Sequence, residues 1–403
     1  MSFREDFEAL KEIGADSAGG WSRPAFSVAD IEAHEWFLGK GREAGLTARY
    51  DTFGNAILRL EGDDRPAILI GSHLDTVVNG GAFDGAIGVL AGLEILRRLR
   101  RDGSPGAPVE VIAFRDEEGR FGPFTGSRAM AGLHTETGLA KARAADGQML
   151  SAAVETAGFV LANAPRDWSQ VAAYLELHIE QGPVLEGAGI DLGIVTAIAG
   201  QERLSLKFTG QPDHAGTAPM DLRRDAFAGA ARFAEAFRAL VRSEGTSLRG
   251  TIGVVKVEPN QGNVVPGEVT LGLEIRGTDK DLLASTRDRI EALAQTIADD
   301  EKLSLRTRRI YSDSPVPMAP ALQQALHKAA ADRQLKTVEL PSGANHDAGI
   351  IGRLVPGAML FVPSVGGRSH CPEEDTDLDM IDAAIDVLAD AVQALRNVTG
   401  FSA

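Results

Sequence analysis

The spacing of apolar residues predicts a chain that alternates strands and helices over most of its length. Short apolar runs are typical of buried strands, and longer segments with apolar residues three and four apart are typical of helices. The predicted strands cover 67–70, 109–114, 174–180 and 358–362, with shorter ones within 47–60. The predicted helices cover the N-terminus, 28–44, 86–101, 321–333 and 378–396. This order predicts an α/β fold with a mixed sheet.

Residues 201–314 have a pattern of predicted strands and helices that is typical of a separate domain. Strands are predicted at 202–209, 251–257, 269–276 and 303–309, and helices at 222–242 and 280–298. The order β-α-β-β-α-β forms a self-contained four-stranded sheet with two helices, the ferredoxin-like plan. We therefore predict that residues 201–314 are an inserted domain, while 1–200 and 315–403 form one discontinuous domain.

The loop between the strand at 67–70 and the helix at 86–101 carries two candidate metal ligands. His73 lies at the end of the strand, and Asp84 lies just before the helix. Ligands of open α/β sheets bind outside the carboxyl ends of the strands. An imidazole and a carboxylate converging there suit a borderline divalent metal. Taken alone, a His and an Asp in one loop are more often a solvated hydrogen-bonding pair than metal ligands.

The next strand, 109–114, ends in three successive carboxylates and a glycine, Asp116-Glu-Glu-Gly119. Adjacent side chains at a strand end can point to different sides. One of Glu117 and Glu118 could therefore bind a metal while the other takes a proton. A solvated acidic turn is the alternative for this triplet in isolation.

The segment 174–180 has a period of two. Its apolar residues share one face, and Glu176, His178 and Glu180 share the other. An acidic face of this kind is costly in a buried sheet unless a metal or protons neutralise it. Gln181-Gly-Pro183 then ends the strand.

Two more histidines, His346 and His370, lie in loops near the end of the chain. Taken separately, each is typical of an ordinary polar loop residue. The sequence predicts no role for Arg368 or Cys371, which lie close to His370. The simplest interpretation of Cys371 is a small loop residue beside a site.

Composition narrows the possible partners and ligands. The formal net charge of −16, without a basic stripe, argues against nucleic acid or an anionic membrane as a partner. No apolar run reaches the length of a membrane span and the N-terminus lacks a signal peptide's apolar core, which predicts a cytoplasmic protein. The single cysteine excludes thiolate-rich zinc sites, so metal ligands must be His and carboxylate.

Taken together, the segments resemble one family over residues 50 to 380. The chain is similar to the dinuclear-metal amidohydrolases of the M20 peptidase superfamily, in the branch of N-carbamoyl-L-amino-acid hydrolases, β-ureidopropionases and allantoate amidohydrolases. The motifs that carry this resemblance are His73-Leu-Asp75, Phe83-Asp84-Gly, Glu117-Glu118-Gly, Leu177-His178-Ile-Glu-Gln-Gly-Pro183, His214-Ala-Gly-Thr, Asn263-Val-Val-Pro-Gly and Gly367-Arg-Ser-His370.

The resemblance implies a role for each of these residues. His73, Asp84 and His178 are expected to bind one divalent metal, and Asp84, Glu118 and His370 a second, so that Asp84 bridges. The metals are expected to be zinc, manganese or cobalt. Glu117 matches the general base, and Asp75 matches a carboxylate that orients the His73 ring. The expected substrate contacts are Gln181, His214, Asn263, Arg276 and Gly343.

The same resemblance implies a catalytic domain of the metal-dependent exopeptidase type with the inserted domain as a lid and dimerisation domain. His214 is expected to reach the site from the partner subunit of a homodimer. The segment Glu118-Gly-Arg-Phe-Gly is about one residue shorter than the branch pattern, which affects the expected shape of the adjoining pocket.

The expected reaction is hydrolysis of the carbamoyl bond of a small carboxylate-bearing substrate, an N-carbamoyl amino acid. Allantoate and N-carbamoyl-β-alanine are alternatives, as is the acyl-amino-acid hydrolase or exopeptidase chemistry of the wider superfamily. A binding protein without catalysis would predict a missing ligand or base, and neither is missing. Serine hydrolase and dehydrogenase motifs are absent from the sequence.

Overall fold

The computed structural model describes residues 2–103 and 105–397, and it separates into two compact units. One unit comprises Met1–Thr196 with Pro317–Ala403, and the other comprises Ala197–Val316. The outermost residues of the predicted discontinuous domain, residue 1 and residues 398–403, lie outside the described residues. In the described part of the chain, no helix combines the length and apolar character needed to cross a membrane.

The helices agree with the sequence pattern in their main positions. They are α1 Phe3–Lys11, α2 Val28–Glu43, α3 Ala86–Asp102, α4 Thr125–Met130, α5 Glu136–Lys141, α6 Leu150–Thr156, α7 Val184–Ala188, α8 Ala226–Ser243, α9 Lys280–Asp300, α10 Pro320–Asp332, α11 Asp347–Ile351 and α12 Leu378–Asn397. The short helices α4 to α7 and α11 were not predicted, because segments of five to seven residues are too short to show a helical period.

The strands form two separate sheets. They are β1 Thr47–Tyr50, β2 Ala56–Leu60, β3 Ala67–His73, β4 Val109–Phe114, β5 Val171–Ile179, β6 Leu192–Ile198, β7 Gly200–Thr209, β8 Leu248–Glu258, β9 Glu268–Gly277, β10 Ser304–Asp313, β11 Val316–Pro317, β12 Thr337–Ser342 and β13 Gly357–Val362. The larger sheet has the order β1-β2-β4-β3-β5-β13-β6-β11, with β12 paired to β6. The expectation of a mixed α/β fold with a mixed sheet is confirmed.

The centre of the larger sheet brings the candidate ligands to one edge. Strands β4, β3, β5 and β13 run parallel, and the register sets His73 opposite Phe114 and His178 opposite Phe361. Parallel strands end at the same edge of a sheet. The loops after β3, β4, β5 and β13 therefore meet there.

Strand β5 buries the polar face predicted from its period of two. The strand is paired on both edges, with β3 and β13, and Glu176 and His178 are both buried. Glu180 is not part of this face, because it lies beyond the end of the strand. Its carboxylate instead accepts the backbone N–H groups of Val184 and Leu185 at the start of α7, at 2.9 and 2.8 Å.

The unit Ala197–Val316 contains the smaller sheet, in the order β10-β7-β9-β8, with all neighbours antiparallel. Its core is built from the inward side chains of the strands and the apolar faces of α8 and α9. Helix α8 begins four residues later than predicted. Residues 220–222 form a separate 3₁₀ turn, and Asp225 caps the helix by accepting the N–H groups of Phe227 and Ala228.

Candidate metal centre

The ring of His73 is fixed by a backbone carbonyl. Its Nδ1 lies 2.9 Å from the carbonyl oxygen of Asp75, and because a carbonyl only accepts, Nδ1 carries the proton. The Nε2 lone pair then faces the carboxylate of Asp84, with Oδ1 at 3.6 Å. This tautomer is the one that presents Nε2 to a metal.

The Asp75 carboxylate, expected to orient the His73 ring, lies beside that ring without a direct hydrogen bond to it. Its Oδ1 lies 3.9 Å from His73 Nδ1, beyond hydrogen-bonding distance, and the backbone of Asp75 orients the ring instead. The buried carboxylate accepts the N–H groups of Glu117 and Glu118, at 3.3 and 3.2 Å. Asp75 thus holds the backbone from which the two adjacent acids project.

Those two acids point to different partners. Glu117 Oε2 lies 3.7 Å from His73 Nε2, and Glu118 Oε2 lies 3.4 Å from His370 Nε2. The chain turns at Asp116, just before the two acids, where the backbone adopts a positive φ of 57°. The Asp116 carboxylate accepts the Thr125 hydroxyl at 2.6 Å. The sequence-based idea that neighbouring residues at a strand end can diverge is consistent with this geometry.

His178 carries the clearest sign that a cation belongs in the site. Its Nδ1 donates to the carbonyl of Ile179 at 2.9 Å, so in the neutral ring Nε2 carries a lone pair. That Nε2 is buried without a hydrogen-bond partner and lies 3.0 Å from Asp84 Oδ1. A lone pair facing a carboxylate oxygen is repulsive unless a proton or metal ion lies between them. The donor set therefore fits a metal.

His370 approaches the same carboxylate from the other side. It adopts a positive φ of 57°, and its half-exposed ring places Nε2 3.2 Å from Asp84 Oδ2. The two oxygens of Asp84 thus face two different groups of side chains. In each group, the potential ligand atoms lie within 4.8 Å of one another; the groups are His73, Asp84 and His178, and Asp84, Glu118 and His370.

Gln181, expected to contact substrate, also lies against Asp84. Its Nε2 donates to Asp84 Oδ2 at 2.8 Å and lies 3.3 Å from the hydroxyl oxygen of Ser369. The residue adopts a positive φ of 57°, just after the end of β5. Gly343 lies in an exposed turn, with no atom within 4 Å of the position that a Cβ would occupy.

His346 is not the polar loop residue that its position in the sequence suggested. It is buried, its Nε2 lies 2.9 Å from the Ser342 hydroxyl, and its ring packs against that of His178 with centroids 4.5 Å apart. Burial lowers the pKa of His346 well below its usual value, so the ring is neutral. A further group of potential ligand atoms, Glu176, His178 and His346, lies on this side of the site.

The remaining residues without an expected role have simple surroundings. Arg368 forms an ion pair with Glu373 at 3.0 Å, and Cys371 is a partly buried free cysteine.

The acidic and basic side chains of the site shift one another's pKa values, and their arrangement suits bound cations. Burial would raise the pKa of Asp84, but the three histidines around it hold that pKa well below its usual value. Burial raises the pKa of Glu117 well above its usual value and, with the nearby charge of Asp84, that of Glu118 to about 7. A hydrogen bond to Asp84 raises the pKa of His370 to about 9. Bound metals would replace these protons and keep Glu117 ionised.

The inserted unit carries the other expected substrate residues at its two ends. His214 and Asn263 are exposed neighbours, because His214 pairs with Val264 and the N–H of Ala215 donates to the Asn263 carbonyl at 2.9 Å. Arg276 lies at the opposite end of β9, opposite Gln201. Its Nε donates to the carboxylate of Glu274 at 2.5 Å. The two side chains are two residues apart and therefore share one face of β9. From Glu268 at the start of β9 to Arg276 near its end, eight residue steps span roughly 26 Å.

Comparison with known proteins assigns the chain to a family. Residues 69–394 match the model of peptidase family M20/M25/M40. The chain belongs to that family. The resemblance to the M20 superfamily found in the sequence motifs is thereby confirmed, and the family and the candidate ligand groups together support the use of divalent metal.

Individual M20 relatives are similar over almost their whole length. An N-carbamoyl-L-amino acid amidohydrolase of Geobacillus stearothermophilus is 41% identical over 91% of each chain. An allantoate amidohydrolase of Bacillus subtilis is 36% identical over 98% of this chain and 97% of its own. The crystal structure of an amidase of the hydantoinase/carbamoylase family from Burkholderia multivorans has a TM-score of 0.92 and 33% identity, covering 99% of this chain and 98% of its own.

Proposed function

We propose that this protein hydrolyses the carbamoyl C–N bond of an N-carbamoyl amino acid, releasing the free amino acid and a carbamate that decomposes to carbon dioxide and ammonia. The observation that carries the proposal is the position of Asp84, whose two carboxylate oxygens face two separate groups of ligand atoms. Similar proteins that act on carbon–nitrogen bonds other than peptide bonds confirm the enzyme class.

Two divalent ions are proposed to occupy the site. His73, Asp84 and His178 would hold one, and Asp84, Glu118 and His370 the other, with Asp84 shared. Zinc, manganese and cobalt all suit imidazole and carboxylate ligands. When bound, such ions supply Lewis acidity, which makes a water nucleophilic near neutral pH and an amide or urea carbonyl more electrophilic.

Glu117 is proposed to move the proton. As the water oxygen attacks the carbamoyl carbon, the Glu117 carboxylate takes the proton that the water loses. The same proton then passes to the amino nitrogen as the C–N bond breaks, so that the amine leaves neutral. General base and acid steps of this kind contribute typically ~10²–10⁴ in rate. Asp75 supports the step by holding the Glu117 and Glu118 N–H groups.

Substrate binding is proposed to involve Gln181, Gly343, His214, Asn263 and Arg276, with Arg276 gripping the substrate carboxylate. A guanidinium can meet a carboxylate with two parallel hydrogen bonds. Because His214 and Asn263 lie at the other end of β9 from Arg276, one carboxylate cannot contact all three within one chain. The resemblance implies that Asn263 joins Arg276 at the carboxylate and that His214 comes from the partner subunit; we infer instead that in a homodimer His214 and Asn263 both reach the site from the partner subunit.

The inserted unit is proposed to act as a ferredoxin-like lid and dimerisation domain. Strand β8 is an edge of the smaller sheet and exposes Val254 and Val255, whose accessible fractions are 45% and 57%. An edge strand with unpaired backbone groups and exposed apolar side chains is suited to pairing with a second chain.

An allantoate or N-carbamoyl-β-alanine amidohydrolase is the second candidate. The allantoate relative covers as much of the chain as the carbamoylase relatives do, and allantoate shares both the ureido group and the carboxylate. Acyl-amino-acid hydrolysis and exopeptidase action use the same metals and base, and they remain the third candidate.

The substrate class is tested by ammonia release. Metal-reconstituted protein would be assayed with a panel of N-carbamoyl-L-amino acids, N-carbamoyl-β-alanine, allantoate, N-acetyl amino acids and dipeptides. We expect turnover of one or more N-carbamoyl amino acids, abolished by chelation and restored by Zn²⁺, Mn²⁺ or Co²⁺. Turnover of allantoate or N-carbamoyl-β-alanine alone would select the second candidate. Full activity in protein shown by elemental analysis to be metal-free would overturn the mechanism.

A further inference from the structure

One buried carboxylate beside the metal centre has no expected role, although it contacts the loop that carries Asp84. Glu374 lies in the loop after β13, four residues beyond His370, and is 4% exposed. It is 290 residues from Asp84 in the sequence, and no sequence motif pointed to it. Its neighbour Glu373, by contrast, has an exposed side chain that pairs with Arg368.

The Glu374 carboxylate binds the backbone of the loop at the shared ligand. Its Oε1 accepts the N–H groups of Phe83 and Asp84, both at 3.0 Å. Two charge-assisted hydrogen bonds to consecutive amides fix the position and direction of that backbone. The Asp84 side chain projects from this anchored amide toward the histidines on both of its sides.

The other oxygen of Glu374 reaches the Asp84 carboxylate through one hydroxyl. Ser369 Oγ lies 2.9 Å from Glu374 Oε2 and 3.0 Å from Asp84 Oδ2. Gln181 Nε2 also donates to Asp84 Oδ2. Glu374 therefore touches Asp84 directly at its backbone, and through Ser369 at its side chain.

The loop leaves a space in which this carboxylate fits. A Cβ added at Gly81 would lie 1.9 Å from Glu374 Oε1 and 2.0 Å from its Cδ. Gly81 is not among the residues with positive φ, so the requirement there is for room and not for an unusual backbone conformation. Any side chain at residue 81 would push the Glu374 carboxylate away from the two amides.

We propose that Glu374 is a positioning residue for the metal centre: by holding the Phe83–Asp84 backbone and, through Ser369, the Asp84 carboxylate, it fixes the shared ligand so that both metal positions can be filled at once. This proposal rests on the proposed function, in which Asp84 bridges two divalent ions. Groups that orient metal ligands typically contribute ~10–100-fold in metal affinity.

The test measures metal binding by purified, metal-stripped protein with Co²⁺ as the probe. Stoichiometry and affinity would be obtained by calorimetry and elemental analysis, and ligand geometry from the visible absorption of the cobalt. For Glu374→Ala we expect the weaker of the two equivalents to be lost or bound ~10–100-fold more weakly, with an altered cobalt spectrum. Glu374→Gln keeps an oxygen for the two amides and should restore much of the affinity.

Two further variants keep the result interpretable. Glu373→Ala removes the exposed neighbouring acid and should bind cobalt like the unmodified protein. Gly81→Ala leaves Glu374 in the chain but fills the space of its carboxylate, so it should reproduce the loss even if Glu374→Ala fails to fold. Two equivalents with unchanged affinity and spectrum in either Glu374→Ala or Gly81→Ala would overturn the proposal.

The outcome for the metal centre itself is separate. If the unmodified protein binds no cobalt, or if Glu118→Ala retains both equivalents, the proposed function fails independently of Glu374. If the unmodified protein binds two equivalents and only the Glu374 result is negative, the metal centre stands and the positioning role is wrong.

Discussion

At the scale of single residues, the division of labour between Glu117 and Glu118 is the feature most open to test. The two are adjacent in sequence, share the carboxylate of Asp75 as a backbone anchor, and point to different histidines. Their different surroundings mean that the loss of one carboxylate should have a different effect from the loss of the other.

We expect Glu117→Gln to retain the fold and both metals but to lose most turnover, by ~10²-fold or more, because an amide of the same shape cannot take a proton. Glu118→Ala should lose metal. Elemental analysis and ammonia release on both variants measure the difference. If both variants lost metal equally and kept similar residual rates, the assigned roles would be wrong.

The sequence predicted the residues whose chemistry is visible locally, and it missed those whose partners are distant along the chain. A histidine at a strand end or a pair of acids before a glycine is recognisable from a few residues. The contacts of Glu374 with Phe83 and of Glu176 with Ser72 span 291 and 104 residues, and nothing near either glutamate indicates them. His346 was misjudged for the same reason, since its burial depends on the ring of His178.

At the scale of elements, the central strands were predicted closely because an apolar run fixes them. The predicted and observed bounds of β4 agree at both ends. The alternation in β5 is present, and Glu176 and His178 on its polar face are both buried, while the predicted Glu180 lies beyond the strand end. The sequence of a single strand does not show which other strands and helices will cover it in the folded protein.

Strand β4 also carries a buried ion pair network that should matter for stability. Glu110 is 1% exposed, and its carboxylate lies 2.5 Å from Arg59 and 2.7 Å from Arg166. Burial would raise the pKa of Glu110, but the charges of Arg166 and Arg59 lower it below its usual value. A lowered folded-state pKa contributes stability above the unfolded pKa, and that contribution is lost as pH falls through the folded pKa.

We therefore expect Glu110→Gln to lower the midpoint of thermal unfolding by roughly 5 °C or more at pH 7, since it leaves two arginines without their buried partner. The difference from the unmodified protein should shrink as pH falls below about 4. Glu61→Gln, which removes only the exposed partner of Arg59, is the control and should change the midpoint little. A difference that stayed constant from pH 7 down to about pH 2 would contradict the electrostatic origin.

Glu274 of β9 has two arginine partners, Arg276 on the same strand and Arg203 on the neighbouring β7, and they form a matched pair for testing the proposed carboxylate clamp. Arg276 and Arg203 each bind Glu274, at 2.5 and 2.7 Å. We expect Arg276→Lys to lower kcat/KM for carboxylate substrates by ~10²-fold, as when a charge-assisted hydrogen bond of about 1.5–3 kcal/mol is misplaced, and much less for the matched uncharged amide. Arg203→Lys should behave like the unmodified protein.

The two outcomes for Arg276 are distinguishable. If both arginine variants lost activity equally, or if the loss were the same on the acid and the amide, the role of Arg276 would be reduced to its ion pair with Glu274.

At the scale of the whole molecule, the residues proposed to bind substrate cannot be collected from one copy of the inserted unit. His214 and Asn263 lie together in loops beyond the first end of β9, and Arg276 lies near the other end of the strand, roughly 26 Å along it from Glu268. A homodimer with two-fold symmetry would give each site His214 from one chain and the metal ligands from the other, so each complete site would depend on both subunits.

This arrangement predicts that two inactive variants restore each other. In a mixed dimer of His214→Ala with Glu117→Gln, one site would carry both defects and the other would carry neither. Random reassortment of equal amounts makes half of the dimers mixed, so about a quarter of the sites should be intact. Co-expression with two affinity tags isolates the mixed dimer, in which half of the sites should be intact, and ammonia-release assays of that dimer measure this.

The control is a mixed dimer of Glu117→Gln with Glu118→Ala. Both substitutions lie in the same metal centre, so each site keeps one defect and no activity should return. Restoration by the first pair and not by the second would place His214 in the partner's site. If the first pair formed mixed dimers that stayed inactive, His214 would act within its own chain, and the proposed sharing of sites between subunits would be wrong.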